Sequence, residues 1–144
     1  MKTTVSALCL ALALSAGLTA AAQAAPSKAT VAREAKAQAR LAKALEGRTP
    51  GEPVRCLRLT DIRSSRIYDR TAIVYEGLGG VLYVNKPRSG AHTLDSSDVL
   101  VTRTYTGDLC SIDIVHLWDP MSRMQNGFVG LGEFVPYRKV AQAK

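Results

Sequence analysis

The sequence is poor in the side chains that most often build catalytic sites. It has only two histidines, three cysteines and one tryptophan, and it contains no CxxC, HExxH, SxxK or GxSxG motif. The glycine-rich stretches that begin at Gly77 and Gly130 lack both the Lys-Ser/Thr of a P-loop and the full GxGxxG pattern. These absences argue against a zinc ribbon, a zinc protease, a serine-hydrolase elbow and a nucleotide-binding loop. No catalytic residue is predicted.

The length limits the architecture further. A chain of 144 residues suffices for one domain with an appended helix, but it is too short for a TIM barrel or a full Rossmann fold. Hydrophobic residues make up 47% of the chain and charged residues 22%, which is typical of a folded protein. The composition therefore argues against disorder of the whole chain.

Residues 1–24 have the pattern of a cleaved signal peptide. Lys2 gives a positive start, residues 5–18 are almost wholly apolar, and the Ala-Gln-Ala of residues 22–24 offers small side chains to a signal peptidase. We expect cleavage after Ala24, with Ala25 as the near alternative. The mature protein is then expected in the periplasm or outside the cell.

Two other interpretations of this leader fit less well. As a membrane anchor, the apolar run is too short to span about 30 Å of hydrocarbon, and no later stretch comes close to that length. As a lipoprotein signal, Cys9 comes too early for an apolar region to precede it. We therefore expect no transmembrane span after cleavage.

The charge balance bears on the partner. Loss of Lys2 leaves 18 basic residues against 12 acidic ones. This excess is too mixed for a dedicated nucleic-acid module, and export would separate the protein from nucleic acid. An envelope protein, peptidoglycan or another anionic envelope component is the expected partner.

Two cysteines, Cys56 and Cys110, remain after cleavage. In an oxidising compartment, two lone cysteines in a small domain are most simply interpreted as one disulfide. The alternatives are a metal-binding pair and a reactive thiol, but neither cysteine has a neighbouring cysteine or histidine in sequence. The bond would close a loop of about 55 residues.

Residues 25–53 are predicted to form an Ala-rich helix followed by a Pro/Gly linker. Strong helix formers fill the run after Ser27, which can cap the start, and Gly47 stands where a C-cap belongs. Since large apolar residues are few, the helix is expected to be loosely held. A solvated spacer is the favoured interpretation, and a helix on a membrane surface is the alternative.

Residues 54–138 alternate short β-rich runs with turn residues, and residues 139–144 are predicted to be a flexible tail. Seven strands are predicted, at residues 56–59, 66–68, 71–75, 81–85, 99–105, 109–118 and 128–135. The Gly-rich residues 76–80 predict a hairpin, and Gly130 and Gly132 predict a bend. The fold class is therefore all-β, a small antiparallel barrel or sandwich preceded by one N-terminal helix.

Several spaced blocks of this domain carry a family resemblance. The blocks are Cys56-Leu57-Arg58-Leu59, Asp61-Ile62-Arg63-Ser64, Asp69-Arg70-Thr71, Tyr83-Val84-Asn85, Leu109-Cys110 with Asp113, and Gly130-Leu131-Gly132-Glu133-Phe134-Val135-Pro136. In this order they resemble a family of small exported proteobacterial proteins of unknown function. The resemblance implies a secreted β-rich domain with Cys56 bonded to Cys110, and it implies no activity. Many members carry two further cysteines that this chain lacks, so no second disulfide is expected.

One acidic segment offers candidate metal ligands. His92, Asp95 and Asp98 place an imidazole and two carboxylates within seven residues, and zinc or calcium would be the candidate ion. The spacing matches no zinc or EF-hand pattern, and Asp-Ser-Ser-Asp is common in turns. The turn interpretation is therefore favoured, and no cofactor is predicted.

The other histidine, His116, shares a face of its predicted strand with Ile114 and Trp118. A lone histidine among apolar neighbours is interpreted as a hydrogen-bonded core residue rather than a catalytic base. A deep pocket lined by Arg58, Tyr83 and His116 would instead indicate a ligand site.

Four arginines, Arg58, Arg63, Arg66 and Arg70, lie within thirteen residues. If Arg58, Arg66 and Arg70 converge, their guanidinium groups would bind a carboxylate or phosphate. The interleaved aspartates favour local salt bridges instead. The chain is therefore predicted to be a non-enzymatic envelope binding or interaction module. The alternatives are a small metal-dependent hydrolase and a structural envelope component.

Overall fold

The computed structural model describes residues 26–140. The predicted signal peptide, its cleavage site and residues 141–144 lie outside the described residues. Helix α1 spans Lys28–Ala44. The strands that follow are β1 (Arg48–Pro50), β2 (Cys56–Arg58), β3 (Ile62–Tyr68), β4 (Ala72–Gly77), β5 (Leu82–Asn85), β6 (Val99–Thr102), β7 (Asp108–Cys110), β8 (Ile114–Asp119), β9 (Met124–Gly130) and β10 (Phe134–Lys139).

The strands form three sheets, and all their pairings are antiparallel. The five-stranded sheet has the order β1-β10-β5-β4-β3, the two-stranded sheet joins β2 to β7, and the three-stranded sheet has the order β6-β8-β9. No sheet closes into a barrel within residues 26–140, so the architecture is a sandwich with α1 on its outside. This confirms the predicted all-β class with one preceding helix, and the β4–β5 hairpin is confirmed as well.

The main core lies between the five-stranded sheet and the two smaller sheets. Within it the rings of Tyr75 and Phe134 meet edge-on, with 5.8 Å between their centroids. Strand β8 contributes Val115 and Leu117, which are fully buried, while the residues on either side of them point away from the core. The buried residues of this core are Leu57, Ile67, Ile73, Tyr75, Leu94, Leu109, Val115, Leu117, Val129, Leu131 and Phe134.

Helix α1 packs on the opposite face of the five-stranded sheet. Ser27 caps it, because its Oγ accepts a hydrogen bond from the backbone N–H of Thr30 at 3.2 Å. Ala37 and Leu41 are buried in a second core that includes Val74 and other residues of β3, β4 and β5. The small side chain of Ala37 permits a close approach of helix and sheet. The solvated-spacer interpretation is therefore wrong.

The Pro/Gly stretch after α1 belongs to the five-stranded sheet and is not a separate linker. Strand β1 pairs with β10, so that Arg48 lies opposite Lys139 in the segment predicted to be a tail. Val54 and Phe134 exchange backbone hydrogen bonds of 2.8 and 2.9 Å. Pro50 is tolerated because β1 is an edge strand. Residues 48–139 are thus continuous with the sandwich.

Two predicted strands are each divided between sheets. The run at 109–118 turns at residues 111–113 into β7 and β8, and the run at 128–135 separates into β9 and β10. Gly132 lies in the second crossover, where a Cβ atom would strike the carbonyl oxygen of Lys86. Asn85 fixes this crossover, because its side chain donates to the Gly132 carbonyl (2.6 Å) and accepts from the Gly132 N–H (3.2 Å).

In the part of the chain that the structure describes, no helix combines the length and the apolar composition needed to cross a membrane.

Candidate interaction surface

The predicted disulfide is present. Cys56 and Cys110 lie directly opposite each other in the β2–β7 pair, with their Cα atoms 4.0 Å apart, and their sulfurs are bonded. The two residues are 54 positions apart in sequence. The bond therefore holds the two-stranded sheet together and closes most of the β-domain into one loop.

The side of the three-stranded sheet that points away from the main core is an exposed apolar surface. Val99 of β6 lies opposite Trp118 of β8, and His116 lies between Val101 and Phe128. Trp118 is 42% exposed and Phe128 is 56% exposed. We call this surface the outer face, and its members are Val99, Val101, Ile114, His116, Trp118 and Phe128.

The outer face exists because β8 is apolar on both of its sides. Val115 and Leu117 point into the main core, while Ile114 and Trp118 point outwards and stay 52% and 42% exposed. An antiparallel sheet at a surface normally alternates apolar and polar side chains. Large contiguous apolar patches on a protein surface are typical of interaction sites.

His116 lies in the middle of the outer face. Its two cross-strand neighbours are Val101 and Phe128, and its Nδ1 atom is buried without a hydrogen-bond partner in the described residues. The interpretation of His116 as a hydrogen-bonded core residue is therefore wrong. The side chains of β8 do alternate between its two sides as predicted, but this alternation does not determine which of the two apolar sides faces the core.

The loop at one end of the outer face extends the apolar surface. Met121 in this loop is 90% exposed, and Met124, which begins β9, is 66% exposed. Asp119 shapes this loop, because it accepts hydrogen bonds from the Ser122 hydroxyl and the Met121 N–H, each at 2.8 Å. These bonds, the one from Ser122 first, lower the pKa of Asp119 below its ordinary value. The thioether side chains are adaptable in shape, which suits a contact surface.

Strand β6 adds an open edge to this surface. It pairs with β8 on one side only, and its residues Val99 to Thr102 include no charge, no proline and no bulge. Charges, prolines and bulges are among the devices that prevent an edge strand from pairing with another chain, and the short length of β6, four residues, is the one such device that it has. A cavity of about 290 Å³ lies alongside, bounded by residues of β6 and by Ser65 and Arg66 of β3.

The acidic segment forms a turn in the structure. Oδ1 of Asp95 accepts hydrogen bonds from the N–H and the hydroxyl of Ser97 at 3.0 and 2.7 Å, and Oδ2 forms an ion pair with Arg33 at 2.8 Å. The bonds from Ser97 and then the one from Arg33 lower the pKa of Asp95 to about 2. Asp98 is buried and accepts from the Asn126 amide, and desolvation raises its pKa.

His92 does not join these carboxylates in a ligand set. Its backbone carbonyl accepts a hydrogen bond of 2.7 Å from Arg70. Within residues 26–140 there is no group of three or more His, Cys, Asp or Glu side chains close enough together to hold a metal ion. The segment serves to fix the loop before β6 and, through Arg33, to tie α1 to that loop.

The four arginines lie on different surfaces. Arg63 is at the bulge of β3, and Arg66 is on the helix side of the same strand. Arg70 donates a hydrogen bond to the backbone carbonyl of His92, in the loop before β6. Arg58 lies in a cleft of about 540 Å³ together with Tyr83 and Arg138. The structure thus brings Arg58 and Tyr83 together as a ligand pocket would need, but His116 is on the outer face.

Comparison of the chain with family models, with curated proteins and with solved structures finds no match.

Sequence reasoning missed the outer face, although a signal for it was present. Both alternating sets of residues in 112–118 are largely apolar, whereas the domain is too small to cover both sides of every sheet. One of the two sets must then be exposed. Which set it is depends on the crossover at 111–113, and this turn is fixed by tertiary hydrogen bonds from the Ser111 N–H to the Arg55 carbonyl (2.7 Å) and from the Leu131 N–H to the Asp113 carbonyl (3.0 Å).

Proposed function

We propose that the protein is an exported, non-enzymatic interaction module that binds an envelope protein through the outer face. The observation that carries the proposal is the uncovered apolar side of the β6-β8-β9 sheet. The signal-peptide pattern of residues 1–24 supports export, and the Cys56–Cys110 disulfide is consistent with an oxidising compartment.

A protein partner suits this surface better than a charged or sugar ligand. None of the six outer-face side chains carries a carboxylate, an ammonium or a guanidinium group. Aromatic residues and methionine are enriched in the centres of protein interfaces. The open edge of β6 offers main-chain hydrogen bonds to an extended partner segment, so that the segment would add a fourth strand to the sheet.

The metal-dependent hydrolase alternative has no support in the geometry of the described residues. The carboxylate of Asp95 already accepts hydrogen bonds from Ser97, and that of Asp98 accepts from Asn126 of β9. The contact of His92 with Arg70 is made by its backbone carbonyl and not by its imidazole. The purely structural alternative is a special case of the proposal, in which the bound partner is an envelope assembly.

Photo-crosslinking tests the proposal in cells that export the protein. A photoreactive residue at Val101 is expected to give an adduct with one identifiable envelope protein. The same residue at Leu78, which is exposed on the β4–β5 turn, serves as the matched control and should not give that adduct. Trp118→Lys on the outer face should lower the yield from position 101 by about fivefold or more, since large aromatic side chains supply much of the binding energy of such interfaces.

The purified partner then provides a direct measurement. Trp118 is the only tryptophan in the chain, so the emission of the mixture minus that of the partner alone reports on the outer face. Addition of the partner should shift that emission to shorter wavelength as the indole becomes buried, and Phe128→Asp should abolish the shift. Equal adducts from positions 78 and 101, or adducts from position 101 only between copies of this chain, would refute binding of an envelope protein.

A further inference from the structure

A second surface with binding chemistry lies on the other side of the five-stranded sheet. It is a groove of about 560 Å³ between α1 and β3, and we call it the basic groove. Arg40 and Lys43 enter it from the helix, Arg66 enters it from the strand, and Ala44, Ile67, Tyr68 and Ser96 complete its lining. Three basic side chains thus converge from two elements that are remote in sequence.

A buried carboxylate positions one of these cations. Asp69 is 6% exposed, and its Oδ1 atom accepts a 2.7 Å hydrogen bond from the Ser96 N–H. Its Oδ2 atom accepts from Nη2 of Arg40 at 3.1 Å. Because a guanidinium group has five donors in one plane, this pairing orients Arg40 and leaves other N–H groups for a ligand.

The other two cations are not neutralised. Neither Lys43 nor Arg66 forms an ion pair within residues 26–140. Arg66 also lines two smaller cavities, which contain the hydroxyls of Ser64 and Ser65 and one carboxylate each, that of Glu76 and that of Asp98. Neither carboxylate lines the groove itself, where Asp69 offsets one of the three cations and leaves an excess of two positive charges.

We propose that the basic groove binds a phosphate monoester. A phosphate monoester has nearly two negative charges at neutral pH and three strong acceptor oxygens, which match the excess charge and the two guanidinium groups. A carboxylate supplies one charge and two oxygens. The groove is larger than a phosphate group, so the organic part of the ligand lies over Ala44 and beside the Ser96 hydroxyl.

Calorimetric titration with glucose 6-phosphate, and with glucose and glucuronate for comparison, tests this assignment. Glucose 6-phosphate should bind, glucuronate should bind at least about tenfold more weakly, and glucose should not bind. Arg66→Gln should weaken binding of glucose 6-phosphate by about tenfold or more, because it removes charge-assisted hydrogen bonds. Arg63→Gln is the matched control on the same strand: it removes an arginine that is also exposed but lies outside the groove, and it should leave the affinity unchanged within about twofold.

Lys43→Gln provides a second, independent variant on the exposed surface of α1, and it should weaken binding as Arg66→Gln does. Equal losses in Arg63→Gln and Arg66→Gln would show attraction by general charge and would overturn the proposal. If glucuronate bound as tightly as glucose 6-phosphate, the groove would not distinguish a doubly charged phosphate from a singly charged carboxylate, and the proposal would be overturned. Because the groove and the outer face lie on different layers of the sandwich, Trp118→Lys should leave binding of glucose 6-phosphate intact.

Discussion

Two glycines with nearly the same backbone torsion have different roles in this fold. Gly90 has φ +74° and Gly107 has φ +75°, a region that disfavours any residue with a Cβ atom. A Cβ atom at Gly107 would point into open space, whereas one at Gly90 would strike the Phe128 carbonyl oxygen. Gly90 is therefore required both for its torsion and for its close packing against β9.

Alanine substitution separates these two effects. Gly107→Ala should lower the free energy of unfolding by about 1 kcal/mol, the cost of a left-handed backbone alone. Gly90→Ala should lower it by at least about 3 kcal/mol, because the backbone of β9 must also move. Denaturant unfolding of the two variants measures the difference. Equal losses would mean that β9 yields freely at Phe128, and the outer face would then be less rigid than the structure indicates.

The residues that could be predicted from sequence are those whose role depends on local chemistry. Cys56 and Cys110 were predicted as a pair from their number and the expected compartment, and Ser27 was predicted as a cap from its position before a helical run. Arg66 and His116 depend on neighbours that are distant in sequence. Their surroundings follow from where α1 docks and from which side of β8 faces inwards, and no local pattern encodes either.

At the scale of elements, α1 depends on very few contacts. Leu41 is the one large side chain of the helix that is buried, and Ala37 provides the close approach. Leu41→Ala should lower the free energy of unfolding by about 2–3 kcal/mol, as for other truncations of buried leucines. Val31→Ala on the exposed part of the same helix is the control and should change it by less than about 0.5 kcal/mol. Thermal or denaturant unfolding gives both values.

The same pair of variants reports on the link between the helix and the basic groove. Leu41→Ala weakens the contact between α1 and the sheet, so the amide hydrogens of the helix should exchange faster in this variant and not in Val31→Ala. Arg40 and Lys43 belong to the same helix, so faster exchange would also mean that two of the cations of the groove are held less firmly. Indistinguishable exchange in the two variants would mean that Leu41 does not hold the helix on the sheet.

Strand boundaries show the limit of periodicity as a guide to this fold. A period of two persists through residues 109–118 and 128–135, so the sequence predicts one strand in each run. The structure divides both runs, because β7 and β8, and likewise β9 and β10, belong to different sheets. The glycines of the second run do indicate the bend. They do not indicate that the chain changes sheets there, which depends on the hydrogen bonds between Asn85 and Gly132.

At the scale of the whole molecule, one covalent bond restrains most of the β-domain. Replacement of both Cys56 and Cys110 by serine should lower the free energy of unfolding by up to about 4 kcal/mol, because the unfolded chain gains the entropy of a long open loop. Denaturant unfolding of the double variant against the oxidised protein measures the loss. A thiol assay on folded protein prepared under oxidising conditions should detect neither cysteine, and two reactive thiols in native material would contradict the cross-linked fold.

The bare edge of β6 has a consequence for how the protein behaves when it is alone. A strand that accepts a partner segment also accepts the same strand of a neighbouring copy, so the unoccupied form has a built-in route to self-association. The formal net charge of +7 works against this, because like-charged copies repel each other before their edges can meet. Concentrated salt screens that repulsion, and the colloidal stability of the free protein therefore falls as ionic strength rises.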